Sequence, residues 1–168
     1  RSVLTAPAAI ALTDTPASDT FSAPTGTLSA ADAEGSTLTY GISGVTATGG
    51  TATSVGTYGT LAVNTSTGAY TFTPNATAIN AISANTSQTF TVTSSDGTAT
   101  GSSTLTVNLT GANDTPIVTQ PTAIAVTDTA ASDTFSATTG TLSAADAEGS
   151  TLTYGISGVT ATGGTATS

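Results

Sequence analysis

The sequence predicts an all-β protein, an antiparallel Greek-key β-sandwich, on three observations. Strand-favouring residues dominate, apolar residues recur at every second position, and turn signals punctuate the chain at short intervals. Of 168 residues, 43 are Thr and 20 are Ser, while Lys and Met are absent and Gln is scarce. Thr, Val, Ile, Tyr and Phe fit a pleated half-buried surface, whereas the missing types are the helix formers. Low charge (7%) is paired with a hydrophobic fraction of 37% and a mean hydropathy of +0.19. Disordered chains combine low hydrophobicity with dense charge, so a packed core is expected.

Each strand follows from period-two alternation, which places one set of side chains on a single face. Ile10 and Leu12 alternate in AIALTD, and Leu38, Tyr40 and Ile42 in STLTYGIS. Leu61 and Val63 follow in GTLAVN, Tyr70 and Phe72 in AYTFTP, Phe90 and Val92 in QTFTVTSS. Leu105, Val107 and Leu109 close the series in STLTVNLTG, and Phe21 with Leu28 marks one further strand or strand pair. DAEGS, NTSTG, SSDGT and the Gly-rich TATGG supply turns between them. Only ATAINAISAN, residues 76–85, has a helical spacing, with Ile79 and Ile82 three apart.

The chain also repeats itself. Residues 1–54 and 115–168 align at a constant offset and differ at nine of 54 positions, and the final 30 positions agree without a break. The predicted organisation is one complete sandwich over 1–114, with a linker at about 111–116, followed by the N-terminal part of a near-identical repeat over 115–168. A period this long suits beads on a string rather than a solenoid. The partial copy carries too few strands to close a sandwich, so it is expected to fray or to seek complementary strands, including those of a neighbouring chain.

Composition removes whole classes of chemistry. Without His, Cys or Lys there is no imidazole base, thiolate, Schiff-base amine or His/Cys metal site. Arg1 is the single cationic side chain, against ten acids and a net charge of −9, so nucleic acid and anionic membranes find nothing to bind. No apolar run reaches bilayer-spanning length, and no signal peptide opens the chain, which reads as a cut from something longer. The acids gather in turns and at the repeat junction, where salt bridges cannot neutralise them. Calcium accepts six to eight oxygens from carboxylates, amides and carbonyls, so it is the expected cation. The candidate ligands are Asp32, Glu34 and Asp96 in one group, and Asn113 and Asp114 of the linker with Asp146 and Glu148 of the second copy in another. Asp14 and Asp19 read equally well as turn caps.

GTLSAADAEGSTLTYGISG, GTYGTLAVNTSTGAYTFTPN and TFTVTSSDGTATGSSTLTVNLTGANDTP together resemble the VCBS repeat of large bacterial surface proteins. That family lies close to the bacterial cadherin-like and immunoglobulin-like modules. The resemblance covers about Thr25 to Pro116 and resumes in the partial copy. It implies a β-sandwich module of a giant secreted adhesin or biofilm-matrix fibre at the cell surface, often stiffened by calcium. Its site positions map to Asp32, Glu34, Asp96, Asn113 and Asp114, although DAEG carries fewer acids than family turns commonly do. The expected function is therefore an extracellular spacer, not an enzyme. The principal alternative is a carbohydrate- or surface-binding module, weakened by the absence of Trp and by 5% aromatic content. Recurrent Thr-x-Thr could suggest an ice-binding array, but a twisted sheet presents Thr outward for simpler reasons.

Overall fold

Alternating apolar and hydroxyl residues give strands that bury one face. In the computed structural model, which describes all 168 residues, β7 (Gly59–Asn64) buries Leu61 and Val63, while the next strand, β8 (Ala69–Pro74), buries Tyr70 and Phe72. Strand accounts for 37% of the residues and helix for 3%, so the protein is all-β. The chain divides into two units, Arg1–Asp114 and Thr115–Ser168.

The first unit contains two four-stranded sheets. One has the order β2 (Ile10–Thr13), β10 (Thr100–Thr110), β9 (Thr86–Ser95), β5 (Thr39–Ile42). The other runs β3 (Thr25–Thr27), β8, β7, β6 (Thr51–Val55). All pairings are antiparallel except β2 with β10, which run parallel from Ile10↔Val107 to Thr13↔Thr110. Ile42, Phe90, Val92, Leu105 and Val107 of the first sheet join Leu61, Val63 and Phe72 of the second in one buried cluster. The Phe72 and Phe90 rings meet edge to face across it, 6.0 Å apart. Each buried aliphatic or aromatic side chain contributes about 1.5–3 kcal/mol relative to exposure, so this shared face dominates the stability of the unit.

Several elements escape period-two reading. A short arm, β1 (Ser2–Leu4), pairs antiparallel with β4 (Ala30–Asp32), and the Ser2 hydroxyl meets that of buried Ser94 at 2.6 Å. β6 forms from TATSV, where only Ala52 is buried, so there is no apolar alternation to detect. The turn before it requires positive φ at Gly49 (58°) and Gly50 (78°), a backbone region that glycine enters without a Cβ penalty. Phe21 lies in irregular chain and packs against the core without joining a strand, and Leu28 is buried between β3 and β4. The helical spacing at 76–85 yields a single short helix, α1 (Ala76–Asn80). Asn75 caps it by accepting the Ala78 N–H at 3.2 Å, and Ile79 anchors it in the core.

The second unit holds only β11 (Ile117–Val118) paired with β12 (Ala144–Ala145), an isolated bridge between Thr162 and Thr165, and several turns. Ile124, Val126, Phe135, Leu142, Tyr154 and Ile156 are exposed.

Candidate metal centre

The acids of the first unit fall into two groups at opposite ends of β10. Eleven residues in that strand at 3.3–3.4 Å each separate them by about 33 Å.

The first group is created by the parallel pairing of β2 with β10. Because Thr13 sits opposite Thr110, the chain segments leaving both strands emerge side by side, and the Asp14 N–H donates to the Thr110 carbonyl at 2.9 Å. Asp14 and Asp114 consequently come together: carboxylate oxygens of the two lie within 4.8 Å of one another, with the residues only 3% and 4% exposed. Asp14 Oδ2 accepts a long hydrogen bond from the Ala112 N–H (3.4 Å), whereas Asp14 Oδ1 is fully buried and accepts none. Burial pushes the Asp14 carboxyl above the ordinary Asp range, the Ala112 N–H opposes this, and the nearby charges of Asp114 and Asp19 push it further up. Two buried carboxylates at this separation need a proton or a cation between them. An oxygen-only donor pair, with one oxygen lacking any hydrogen-bond donor, fits a hard divalent cation such as calcium. Asn113, the neighbouring linker residue, turns its side-chain amide to the Asp114 carbonyl at 2.9 Å.

Asp19 takes the capping role. Its Oδ2 accepts the Thr15 N–H at 2.6 Å, and its own N–H donates to the side-chain oxygen of Asn80 at 2.7 Å. Asn80 returns a bond to the Asp19 carbonyl at 3.0 Å, which fastens the irregular 14–24 segment to α1.

At the other end of β10, the β4–β5 turn and the β9–β10 turn present Asp32, Glu34 and Asp96 to one cation, the α-ammonium of Arg1. Asp32 Oδ2 lies 3.0 Å and Asp96 Oδ2 3.7 Å from that nitrogen, and Glu34 Oε2 is in direct contact with it. The three sequence candidates therefore do converge. Their carboxylates are also strongly supplied with donors. Asp32 Oδ1 accepts from Ser36 N (3.0 Å) and Glu34 N (3.2 Å), and Asp96 Oδ1 accepts from Ala99 N (2.6 Å) and Thr98 N (2.8 Å). The Ser36 N–H, followed by the ammonium, holds Asp32 well below the usual carboxylate range, and the Ala99 and Thr98 N–H groups lower Asp96. Hydrogen bonds from Glu34 and then Asp32 push the ammonium up to about 10. An open groove of about 320 Å³ adjoins the group, lined by Glu34, Ser36, Asp96 and Thr98.

In the second unit, Asp146 and Glu148 occupy the turn that follows β12. Asp146 Oδ1 accepts the Ser150 N–H at 2.7 Å, and its carbonyl accepts the Gly149 N–H at 3.1 Å. For Asp14 the sequence alone does not decide between ligand and cap. The signal that places it beside Asp114 is the parallel register of β2 with β10, which alternation within either strand does not encode. No family model matches the chain, and no curated protein does.

Proposed function

We propose that this chain is a repeat module of an extracellular bacterial adhesin or matrix fibre of the VCBS, cadherin-like kind. Its role is that of a spacer stiffened by calcium bound at the ends of each module. The observation that carries this reading is the buried Asp14 Oδ1, which has no hydrogen-bond donor and faces a second buried carboxylate, Asp114. A buried anionic pair loosens the strand ends that hold it unless a cation neutralises it. Asp14 and Asp114 would hold the ion; calcium would supply charge neutralisation and oxygen coordination there. Asp32, Glu34 and Asp96 are the second candidate group, brought together at one end of β10 by the β4–β5 and β9–β10 turns. The Greek-key sandwich assignment is supported by two four-stranded sheets sharing one core, with the chain crossing between them from β5 to β6 and from β8 to β9. A spacer is favoured over a catalyst because hydroxyls and acids are the only reactive groups present in quantity, and the acids sit in turns.

Thermal unfolding in calcium and in EGTA, on the parent chain and on Asp14→Asn, tests the proposal. Calcium is expected to raise the parent Tm and EGTA to reverse it. Asn removes the buried charge, so Asp14→Asn is expected to melt higher than the parent in EGTA and to lose the calcium response. A parent melt indifferent to calcium sinks the reading.

A further inference from the structure

We infer that the first unit is a load-bearing module whose parallel β2–β10 pairing is sheared, and not peeled, by tension along the chain. The Asp14–Asp114 pair is the cation-dependent lock on that pairing. Residues 1–14 run beside residues 101–114 in one direction, at a nearly constant separation along the sequence. The Ser2 carbonyl lies against Gly101, where a Cβ would meet it at 2.6 Å, Ile10 pairs with Val107, and Thr13 pairs with Thr110. The chain therefore enters the unit beside the start of β10 and leaves it from the end of that strand, about 33 Å away. A pull on the two connections draws β2 and β10 past each other along their own axes. Hydrogen bonds between the strands run across that direction and are evenly spaced in a parallel pair, so they share the load instead of failing one by one. Antiparallel neighbours at these positions would bring both connections to one end and open like a zip.

The contacts are placed to resist that slip. Past β2 the Asp14 N–H donates to the Thr110 carbonyl at 2.9 Å, and Asp14 Oδ2 accepts the Ala112 N–H at 3.4 Å. Farther on, the Asp19 N–H donates to Asn80 at 2.7 Å and the Asn80 amide returns a bond to the Asp19 carbonyl at 3.0 Å, which anchors the far end of β2 to α1. Ahead of β2 the Ser2 hydroxyl meets that of buried Ser94 at 2.6 Å, and the Thr5 N–H donates to the Ser29 carbonyl at 2.9 Å. The lock rests on the calcium reading proposed above. Asp14 and Asp114 would hold the ion, and the buried Asp14 Oδ1, which accepts no hydrogen bond, is the oxygen left to receive it. A slip of one residue is about 3.3 Å, more than the roughly 2.3–2.6 Å of a calcium–oxygen bond. Shear must therefore break the coordination before β2 reaches another register. Without the ion the two carboxylates repel across the same join and weaken it. Cation occupancy thus sets how much tension the module bears.

Single-molecule pulling on the full chain tests this, because forced unfolding reads the unfolding barrier under load. The sequence has no Cys, so a handle on the N-terminus is combined with one engineered thiol, Thr115→Cys for shear or Thr98→Cys for peeling. Thr98 lies in the β9–β10 turn, at the end of β10 where the N-terminal arm docks. In EGTA the Thr115 geometry is expected to break at the higher force and to release the unit in one step, about 340–380 Å of chain. Equal forces, or early loss of residues 1–14 alone in the Thr115 geometry, overturn the load-bearing inference whatever calcium does. Calcium is expected to raise the force in the Thr115 geometry, and Asp14→Asn to abolish that rise. A rise that survives Asp14→Asn, or a calcium response of the parent Tm with no rise in force, overturns the lock alone. Tm and force both indifferent to calcium overturn the calcium reading and the lock with it, and the contrast in EGTA still decides the load-bearing role.

Discussion

Residues 1–54 and 115–168 share 45 of 54 positions, and the two segments end in very different states. In the first, Leu28 and Ile42 are core residues; in the second, Leu142 and Ile156 face solvent. The local hydrogen bonds nonetheless recur at the same offset. Ser36 N to Asp32 Oδ1 returns as Ser150 N to Asp146 Oδ1, and Val45 N to Ile42 O as Val159 N to Ile156 O. The bridge Thr48↔Thr51 returns as Thr162↔Thr165. Even the arm recurs, with Val3↔Ala31 and Thr5 N to Ser29 O matched by Ile117↔Ala145 and Thr119 N to Ser143 O. Turns close within a few residues and cost little chain entropy, whereas a core needs the strands of residues 55–110 on its other side. The strands of residues 59–110 are the set that covers the first copy.

The largest expected effect comes from supplying a second set. A chain extended past Ser168 by a further copy of residues 55–110 should protect 124–127, 139–141 and 153–156 from hydrogen exchange, as their counterparts in the first unit are. Continued exposure of these amides would show that the nine differing positions, and not the missing strands, keep the second copy open. Next in size is a pair of ring deletions. Phe72→Ala empties the centre of the shared core and should cost about 3–5 kcal/mol, while Phe135→Ala, exposed, should change stability by less than about 0.5 kcal/mol in urea unfolding. Comparable losses from both would mean that the second copy is packed in solution.

A smaller contrast lies in the glycines. Gly26→Ala forces a methyl group into the Tyr70 ring and should cost about 1–3 kcal/mol, whereas Gly140→Ala meets nothing and should be neutral in the same unfolding experiment. The smallest is electrostatic. Asp32 has its carboxyl lowered in the folded state by the Ser36 N–H and the α-ammonium, so its contribution is present above the ordinary Asp value of 3.8 and is lost as pH falls below it. Asp32→Asn should therefore flatten the acid limb of Tm against pH. An acid limb unchanged by this substitution would deny that the Asp32 turn is coupled to the folded core.

Reading of the sequence succeeds where residues declare themselves within a few neighbours. The alternation of Leu61, Val63, Tyr70 and Phe72 gives β7 and β8, and Ile79 with Ile82 marks the helical turn. It falls short at β1, β4 and β6, whose buried positions include Ser2 and Ala52, small residues that carry no apolar period. At the acid groups the outcome is likewise mixed. Asp32, Glu34 and Asp96 are predicted to gather and do so around one ammonium. For Asp14 and Asp19 the sequence leaves ligand and cap about even; Asp19 proves to be the cap, and Asp14 lies buried beside Asp114.

Sequence by itself determines the turns, the Asx hydrogen bonds, the strand-forming alternation and the duplication, because each depends on residues close in the chain or on simple comparison. Tertiary structure alone decides that Asp14 meets Asp114 across 100 residues. That outcome depends on non-local strand pairing, the parallel register of β2 on β10.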